Sequence, residues 1–133
     1  MLVYLDTNIV VYLIEQTPIL GRRAMALMAE LRERGDRFAV SHLVRMECKV
    51  APLARSNSET LRAYEDFFAS AEMAVLEVTG AAFDRAAQIR ASHSLRTADA
   101  LHLAAAIEGG CELFLTNDAR LRAFPDISVI SLL

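Results

Sequence analysis

Four acidic residues, Asp6, Glu47, Asp99 and Asp118, stand where a carboxylate is costly unless something uses it. Asp6 ends the apolar run Met1-Leu2-Val3-Tyr4-Leu5 and is followed by Thr7 and Asn8, two small polar residues. Leu113-Phe114-Leu115-Thr116-Asn117-Asp118 repeats that design late in the chain. Glu47 sits among Val44, Cys48, Val50 and Ala51, and Asp99 opens the Ala-rich stretch that runs to Ala106. Each acid has a plain alternative. Asp6 can be a helix N-cap, and Asp99 and Asp118 in first helical turns gain about 0.3–1 kcal/mol from the helix dipole. Glu47 is harder to dismiss, because a glutamate is rarely buried unpaired. Arg45 and Lys49 point elsewhere on a helix, so a distant partner is expected.

Together the acids imply more. In a parallel sheet, acids at or just past strand ends point to one edge, where ligands sit. Carboxylates gathered there repel and raise one another's pKa unless a divalent cation neutralises them. An all-oxygen set suits Mg²⁺ or Mn²⁺, and such an ion activates water and offsets charge building on a phosphoryl oxygen. The chemistry implied is phosphodiester hydrolysis.

The elements that must position these acids follow from periodicity. The opening strand leads into a helix through Ile9, Val10, Tyr12, Leu13 and Ile14, capped by Thr7 or Asn8 and stopped by Pro18. A helix from Leu20 to Arg34 precedes a strand at Arg37–Val40, closed by Ser41. The Glu47 helix then ends near Pro52. Ser56-Asn57-Ser58-Glu59 reads as a capping box for a helix to about Ala71. A strand at Ala74–Val78 precedes a Thr79-capped helix to about Ser92, and His93 to Arg96 form a loop. The Asp99 helix starts at Thr97 or Ala98 and ends at Gly109-Gly110. Leu113–Thr116 is a strand, Asn117-Asp118 starts a short helix, and Ile127–Ile130 is a last strand. Strands separated by one or two helices predict an α/β domain with a parallel sheet covered on both faces. One domain fills residues 1–133, with no repeat or linker.

Composition narrows the classes. At 133 residues the chain can bury about two-thirds of its unfolded surface without metal or disulfide support. Its apolar fraction is 54%, but no run reaches the roughly 20 residues of a membrane span, and no signal peptide is read at its start. Cys48 and Cys111, far apart in apolar stretches, are expected to be reduced core thiols of a cytoplasmic protein. A net charge of −3 argues against holding nucleic acid by charge alone. The basic residues are almost all Arg. The pairs Arg22–Arg23, Arg32–Arg34 and Arg120–Arg122 have the chemistry to grip phosphates, although Glu30 and Glu33 make the second pair a solvated helix face.

Asp99 and His102, three apart on a helix, have a spacing that binds a transition metal, but no second His or Cys is nearby, so His102 reads as a satisfied interior residue. His42 and His93 have no identifiable nucleophile partner. Tyr4, Tyr12, Phe67 and Phe68 fall at core periodicity and read as packing. A phosphoacceptor signalling domain also carries a strand-end Asp, but it needs a Lys at a late strand end. Lys49, in a mid-chain helix, is the sole Lys.

The strand Leu5-Asp6-Thr7-Asn8, the Glu47 helix after Val40-Ser41, the stretch from Arg96-Thr97-Ala98-Asp99 to Ala106, and Leu115-Thr116-Asn117-Asp118 together resemble PIN-domain ribonucleases, in particular the VapC-like toxins of prokaryotic toxin–antitoxin systems. The resemblance covers the whole chain. It implies a three-layer α/β/α domain with a central parallel sheet and Mg²⁺- or Mn²⁺-dependent endoribonuclease activity. By motif position it makes Asp6 and Asp99 the principal metal ligands. Glu47 completes the site through the metal or its waters, and Asp118 orients or binds a second metal. Thr7, Asn8, Thr116 and Asn117 are supporting hydrogen-bonders. It also implies an RNA substrate, a homodimer, and silencing by a cognate VapB-like antitoxin whose tail covers the groove. Arg45 departs from the family pattern, which has a small or apolar residue there, and the basic content is modest for an RNA enzyme. The rival within this fold, a catalytically silent RNA- or protein-binding module, should lack one or more of the acids, and none is missing.

Overall fold

The computed structural model describes residues 1–133. In chain order the elements are β1 (Leu2–Leu5), α1 (Thr7–Ile14), α2 (Leu20–Glu33), β2 (Arg37–Ser41), α3 (His42–Ala54), α4 (Ser58–Ala69), β3 (Met73–Leu76), α5 (Gly80–Ser92), α6 (Thr97–Glu108), β4 (Leu113–Thr116) and β5 (Ser128–Ser131). A 3₁₀ turn, Ala119–Ala123, separates the last two strands. All strand pairs are parallel, in the order β3-β2-β1-β4-β5. The chain moves from β1 outward to β3, then crosses back to β4 on the other side of β1. The β1/β4 boundary is therefore the point where strand order reverses, the usual ligand crevice of such sheets. α1 packs on α2, α3 and α4, while α5 packs on α6. Crossovers of one hand running in opposite directions leave their helices on opposite faces, which gives the expected three-layer α/β/α sandwich.

The central strands are apolar throughout because both faces are covered. Val3, Tyr4 and Leu5 of β1 and Phe114 and Leu115 of β4 are fully buried. Tyr4 stacks on Phe114 with ring centroids 5.2 Å apart. Successive strand residues alternate faces, and the Tyr4 hydroxyl meets His102 of α6. Val3 and Leu5 thus face the α1–α4 layer. Cys48 and Cys111 are free and buried, and burial pushes both thiols up to about 12.

Several boundaries move for physical reasons. Asp6, not Thr7 or Asn8, is the N-cap of α1. Pro52 lies inside the last turn of α3, where it forfeits only the bond to the Cys48 carbonyl, so the helix runs on to Ala54. Ser56 has φ 51°, far from the extended backbone that a capping side chain normally requires. Asn57 caps α4 instead, its side chain accepting from the Thr60 N–H at 3.1 Å, and the capping box does not form. That helix ends at Ala69, and β3 starts one residue early and ends at Leu76. Arg32 pairs with Glu72 and Arg34 with Asp36, in place of Glu30 and Glu33.

The α1–α2 turn carries strain. The Leu20 N–H donates to the Pro18 carbonyl at 2.8 Å, closing a γ-turn around Ile19, which has φ 67° and ψ −63°. A β-branched residue held there costs on the order of 1–3 kcal/mol, and the Ile19 side chain is mostly exposed, so it recovers little by packing. Two residues on, α2 passes so close to α1 that a Cβ on Gly21 would lie 2.8 Å from the Tyr12 carbonyl oxygen. Ile19→Gly is expected to stabilise the fold by about 1 kcal/mol, relief of strain outweighing the looser unfolded chain. A chemical denaturation series reads this as a higher midpoint at unchanged slope.

Candidate active site

The carboxyl ends of β1 and β4 open onto a cleft of about 730 Å³, and its lining includes Asp6, Glu47, Asp99 and Asp118. Arg96, His102, Thr7, Asn8 and Asn117 line it as well. All four acids predicted to share a site thus face one space at the switch point of the sheet.

Asp6 is the most enclosed, 7% exposed. Its Oδ1 accepts from the Thr7 N–H at 2.8 Å, and its Oδ2 accepts from Thr116 Oγ1 at 2.7 Å and Asn8 Nδ2 at 3.2 Å. Its own N–H donates to the Leu115 carbonyl, tying the end of β1 to β4. The supporting hydrogen-bonders close the ring. Asn8 Oδ1 accepts from the Asn117 N–H, and Thr116 Oγ1 accepts from the Asp118 N–H, both at 3.1 Å. The cap and the site are therefore one arrangement, in which the acid that starts α1 also has its carboxylate fixed from β4.

Glu47 reaches the cleft from α3, and its partners are indeed distant. Oε1 accepts from Thr7 Oγ1 and from His102 Nε2, each at 2.6 Å, while Oε2 has no hydrogen bond. The His102 bond, joined by that from Thr7, holds the Glu47 carboxyl below the usual range despite burial. Asp99, in the first turn of α6, accepts from Arg96 Nε at 3.2 Å through Oδ2. Asp118 caps the 3₁₀ turn and is gripped by Arg120 through two bonds of 3.0 and 2.6 Å. That fork keeps the Asp118 carboxyl low. Arg96 lines the cleft and Arg120 reaches it only through Asp118, each with a mostly exposed side chain and its charge set against one of the acids.

Two residues were underestimated by sequence. His102 is an interior residue, as expected, but the group that satisfies it is Glu47, and its Nε2 lies 3.9 Å from Asp6 Oδ1. Its position three residues after Asp99, one turn along the same helix face, was the available signal. Tyr12 is not core. It is partly exposed, and its hydroxyl accepts from Asn117 Nδ2 at the cleft wall. Arg120, proposed as a phosphate gripper, is instead committed to Asp118.

The donor set fits a hard divalent cation. Glu47 Oε2 and Asp99 Oδ1 are oxygens with no protein hydrogen bond, and the one imidazole in the cleft spends its Nε2 on Glu47. No three His, Cys, Asp or Glu side chains are close enough to enclose an ion, so the tight convergence expected of the acids is not reached. An ion held through one or two carboxylates and its own waters is the mode Mg²⁺ adopts, since it gives up its hydration reluctantly.

The fold has close counterparts among solved structures. VapBC2 from Rickettsia felis, bound to a DNA fragment from its promoter, aligns with a TM-score of 0.80 at 18% identity over 98% of both chains. VapBC-1 from nontypeable Haemophilus influenzae gives 0.77 at 17% identity, also over 98% of both. VapC20 from Mycobacterium tuberculosis, a toxin cleaving the sarcin–ricin loop, gives 0.69 at 18% identity over 93% of this chain and 90% of that one. At such identities the likeness speaks to the fold. A search of the curated proteins gives no match. The PIN domain family model matches residues 3–127, almost the whole length over which the strands, the cleft and its acids are built, and the chain belongs to the PIN domain family.

Proposed function

We propose that this chain is a divalent-metal-dependent endoribonuclease and the toxin member of a toxin–antitoxin pair. The observation that carries the reading is four carboxylates, Asp6, Glu47, Asp99 and Asp118, lining one cleft at the sheet's switch point. Asp6 and Asp99 are the principal ligands for Mg²⁺ or Mn²⁺, with Glu47 and Asp118 acting through the ion, its waters or a second ion. Such an ion, when bound, supplies an activated water and offsets charge on the phosphoryl oxygens in an in-line displacement.

The chain's own groups do the rest. Thr7, Asn8 and Thr116 hold the Asp6 carboxylate in one orientation, so the site is organised before substrate arrives. Arg96 lines the cleft and holds Asp99 through Nε alone, so the rest of its guanidinium is left to meet a phosphate. It gives a chain of net charge −3 a local grip on the RNA backbone. Fold likeness to VapBC proteins supports an antitoxin partner. The exposed stripe Met46, Val50 and Leu53, spaced i, i+4 and i+7 on α3, supports a protein-covered face, which we read as the homodimer contact. No helix is long and apolar enough to cross a membrane, and two free buried thiols suit the cytoplasm.

The test is cleavage of a mixed small-RNA pool by the purified chain with Mg²⁺, with Mn²⁺ and with chelator, its mass followed by light scattering, with and without the co-encoded neighbour protein. Cleavage by a dimer that needs the metal and stops on adding the neighbour is expected. A folded, partner-free chain inert under every condition would sink the nuclease reading.

A further inference from the structure

An unbroken line of hydrogen bonds runs from the interior of the sheet to the cleft. Ser41 Oγ is 2.7 Å from the Tyr4 hydroxyl, which is 2.8 Å from His102 Nδ1, and His102 Nε2 is 2.6 Å from Glu47 Oε1. Ser41 and Tyr4 are fully buried, and His102 is 3% exposed. Packing alone does not explain this line. Buried polar groups are costly unless joined, and apolar residues of the same shape serve a core equally well. Ser41 adds a second observation. It occupies the N-cap position of α3, where a serine normally accepts from the helix's free N–H groups, yet it makes no such bond and its hydroxyl's partner is Tyr4.

The line has a direction. A carboxylate only accepts, so the His102 Nε2–H donates to Glu47. In a neutral imidazole Nδ1 then accepts from the Tyr4 hydroxyl, which in turn accepts from Ser41. A phenol is protonated at neutral pH, so the Tyr4 hydroxyl carries the proton this arrangement needs. At the far end Oε1 of Glu47 is occupied by both His102 and Thr7, and Oε2 is left to the cleft.

We propose that Ser41, Tyr4 and His102 form a positioning device for Glu47, fixing its carboxylate with Oε1 turned inward and Oε2 presented to the reaction. His102 is then a positioning residue and not a metal ligand, because the nitrogen nearest the acids is spent on Glu47. Its effect on catalysis rests on the nuclease reading, but its hydrogen bond does not.

Two readouts keep those apart. In ¹⁵N-histidine-labelled wild type, proton NMR should show an exchange-protected, downfield imidazole N–H from His102 that shifts in Glu47→Gln. In cleavage assays His102→Leu should lower kcat by about 10–100-fold with little change in KM, the usual effect of losing a group that orients a metal-site carboxylate. His102→Gln, whose amide donates from near the Nε2 position, should recover most of it, and Tyr4→Phe should fall between. An absent N–H signal, one indifferent to Glu47→Gln, or a His102→Gln variant as poor as His102→Leu at matched melting temperature would overturn the proposal. Should His102→Leu fail to fold, His102→Gln and Tyr4→Phe still decide it, since both keep the core volume nearly intact. A wild type that shows the signal but cleaves nothing would leave the positioning line standing and remove the nuclease.

Discussion

Asp99→Asn should abolish metal-dependent cleavage, by about 10³-fold or more, while the protein stays folded. The stabilisation a divalent ion gives to phosphoryl charge is worth several kcal/mol, and each 1.36 kcal/mol is a factor of ten. Removing a residue we propose as a principal ligand should forfeit about three such factors. The structural cost is small by comparison. Asp99 makes one side-chain hydrogen bond, to the exposed Arg96, and such a pair contributes at most about 1 kcal/mol. Its placement in the first turn of α6 adds about 0.3–1 kcal/mol through the helix dipole. Asp6→Asn should lose as much activity and more stability. Its two oxygens accept from Thr7, Asn8 and Thr116, and an amide offers one acceptor oxygen and turns an NH₂ towards groups that are themselves donors. About 1–2 kcal/mol is the expected penalty. Parallel cleavage assays and melting curves separate the two effects. An Asp99→Asn variant that cleaves like wild type would remove this acid from the mechanism. Unfolding of both variants would make the acids structural caps.

Much of this was legible in the sequence because a strand end is a strong signal. An apolar run that stops on a carboxylate, as at Leu5-Asp6 and again at Thr116-Asn117-Asp118, fixes both the strand and the edge its acid faces. The misreadings came where local rules compete. Pro52 reads as a stop, but a proline within the last turn forfeits a single bond. Ser56 and Glu59 have capping-box spacing, yet the positive φ at Ser56 moves the cap to Asn57. Neither conflict is visible without knowing how the preceding helix ends. His102 was hidden for a different reason. Its neighbours Leu103 and Ala104 are core, and no pattern within α6 says that Glu47, 55 residues earlier, approaches from α3. Tyr12 shares this fate, since its periodicity matches the buried face of α1 and only the tertiary approach of Asn117 leaves it at the cleft. Charge partners were the least legible. Arg32 passes over Glu30 and Glu33 for Glu72, because chain reversal at Gly35 brings β2 and then β3 alongside the end of α2.

Addition of Mg²⁺ or Mn²⁺ should raise the melting temperature of the wild type by on the order of 10 °C, and chelator should reverse it. An ion that binds the folded chain alone stabilises it by about 2.7 kcal/mol at a hundred times its dissociation constant, and in a domain of this size about 1 kcal/mol moves the midpoint by a few degrees. The source of the gain is specific to this cleft. Four acids line it, and the charges set against them are Arg96 on Asp99 and Arg120 on Asp118, both held at the exposed rim. Asp6, the most enclosed of the four, and Glu47 are hydrogen-bonded to hydroxyls, amides and an imidazole, with no guanidinium among their partners. A divalent ion therefore brings its largest benefit to Asp6 and Glu47, whose charge no hydrogen-bonded guanidinium already offsets. Asp6→Asn and Asp99→Asn should each erase most of the metal-linked shift, whereas the rim variant Arg120→Ala should keep it. A wild type whose melting is unmoved by millimolar Mn²⁺ would mean that the protein's own hydrogen bonds already balance these acids, and the hydrolytic reading would then lose the ion on which it depends.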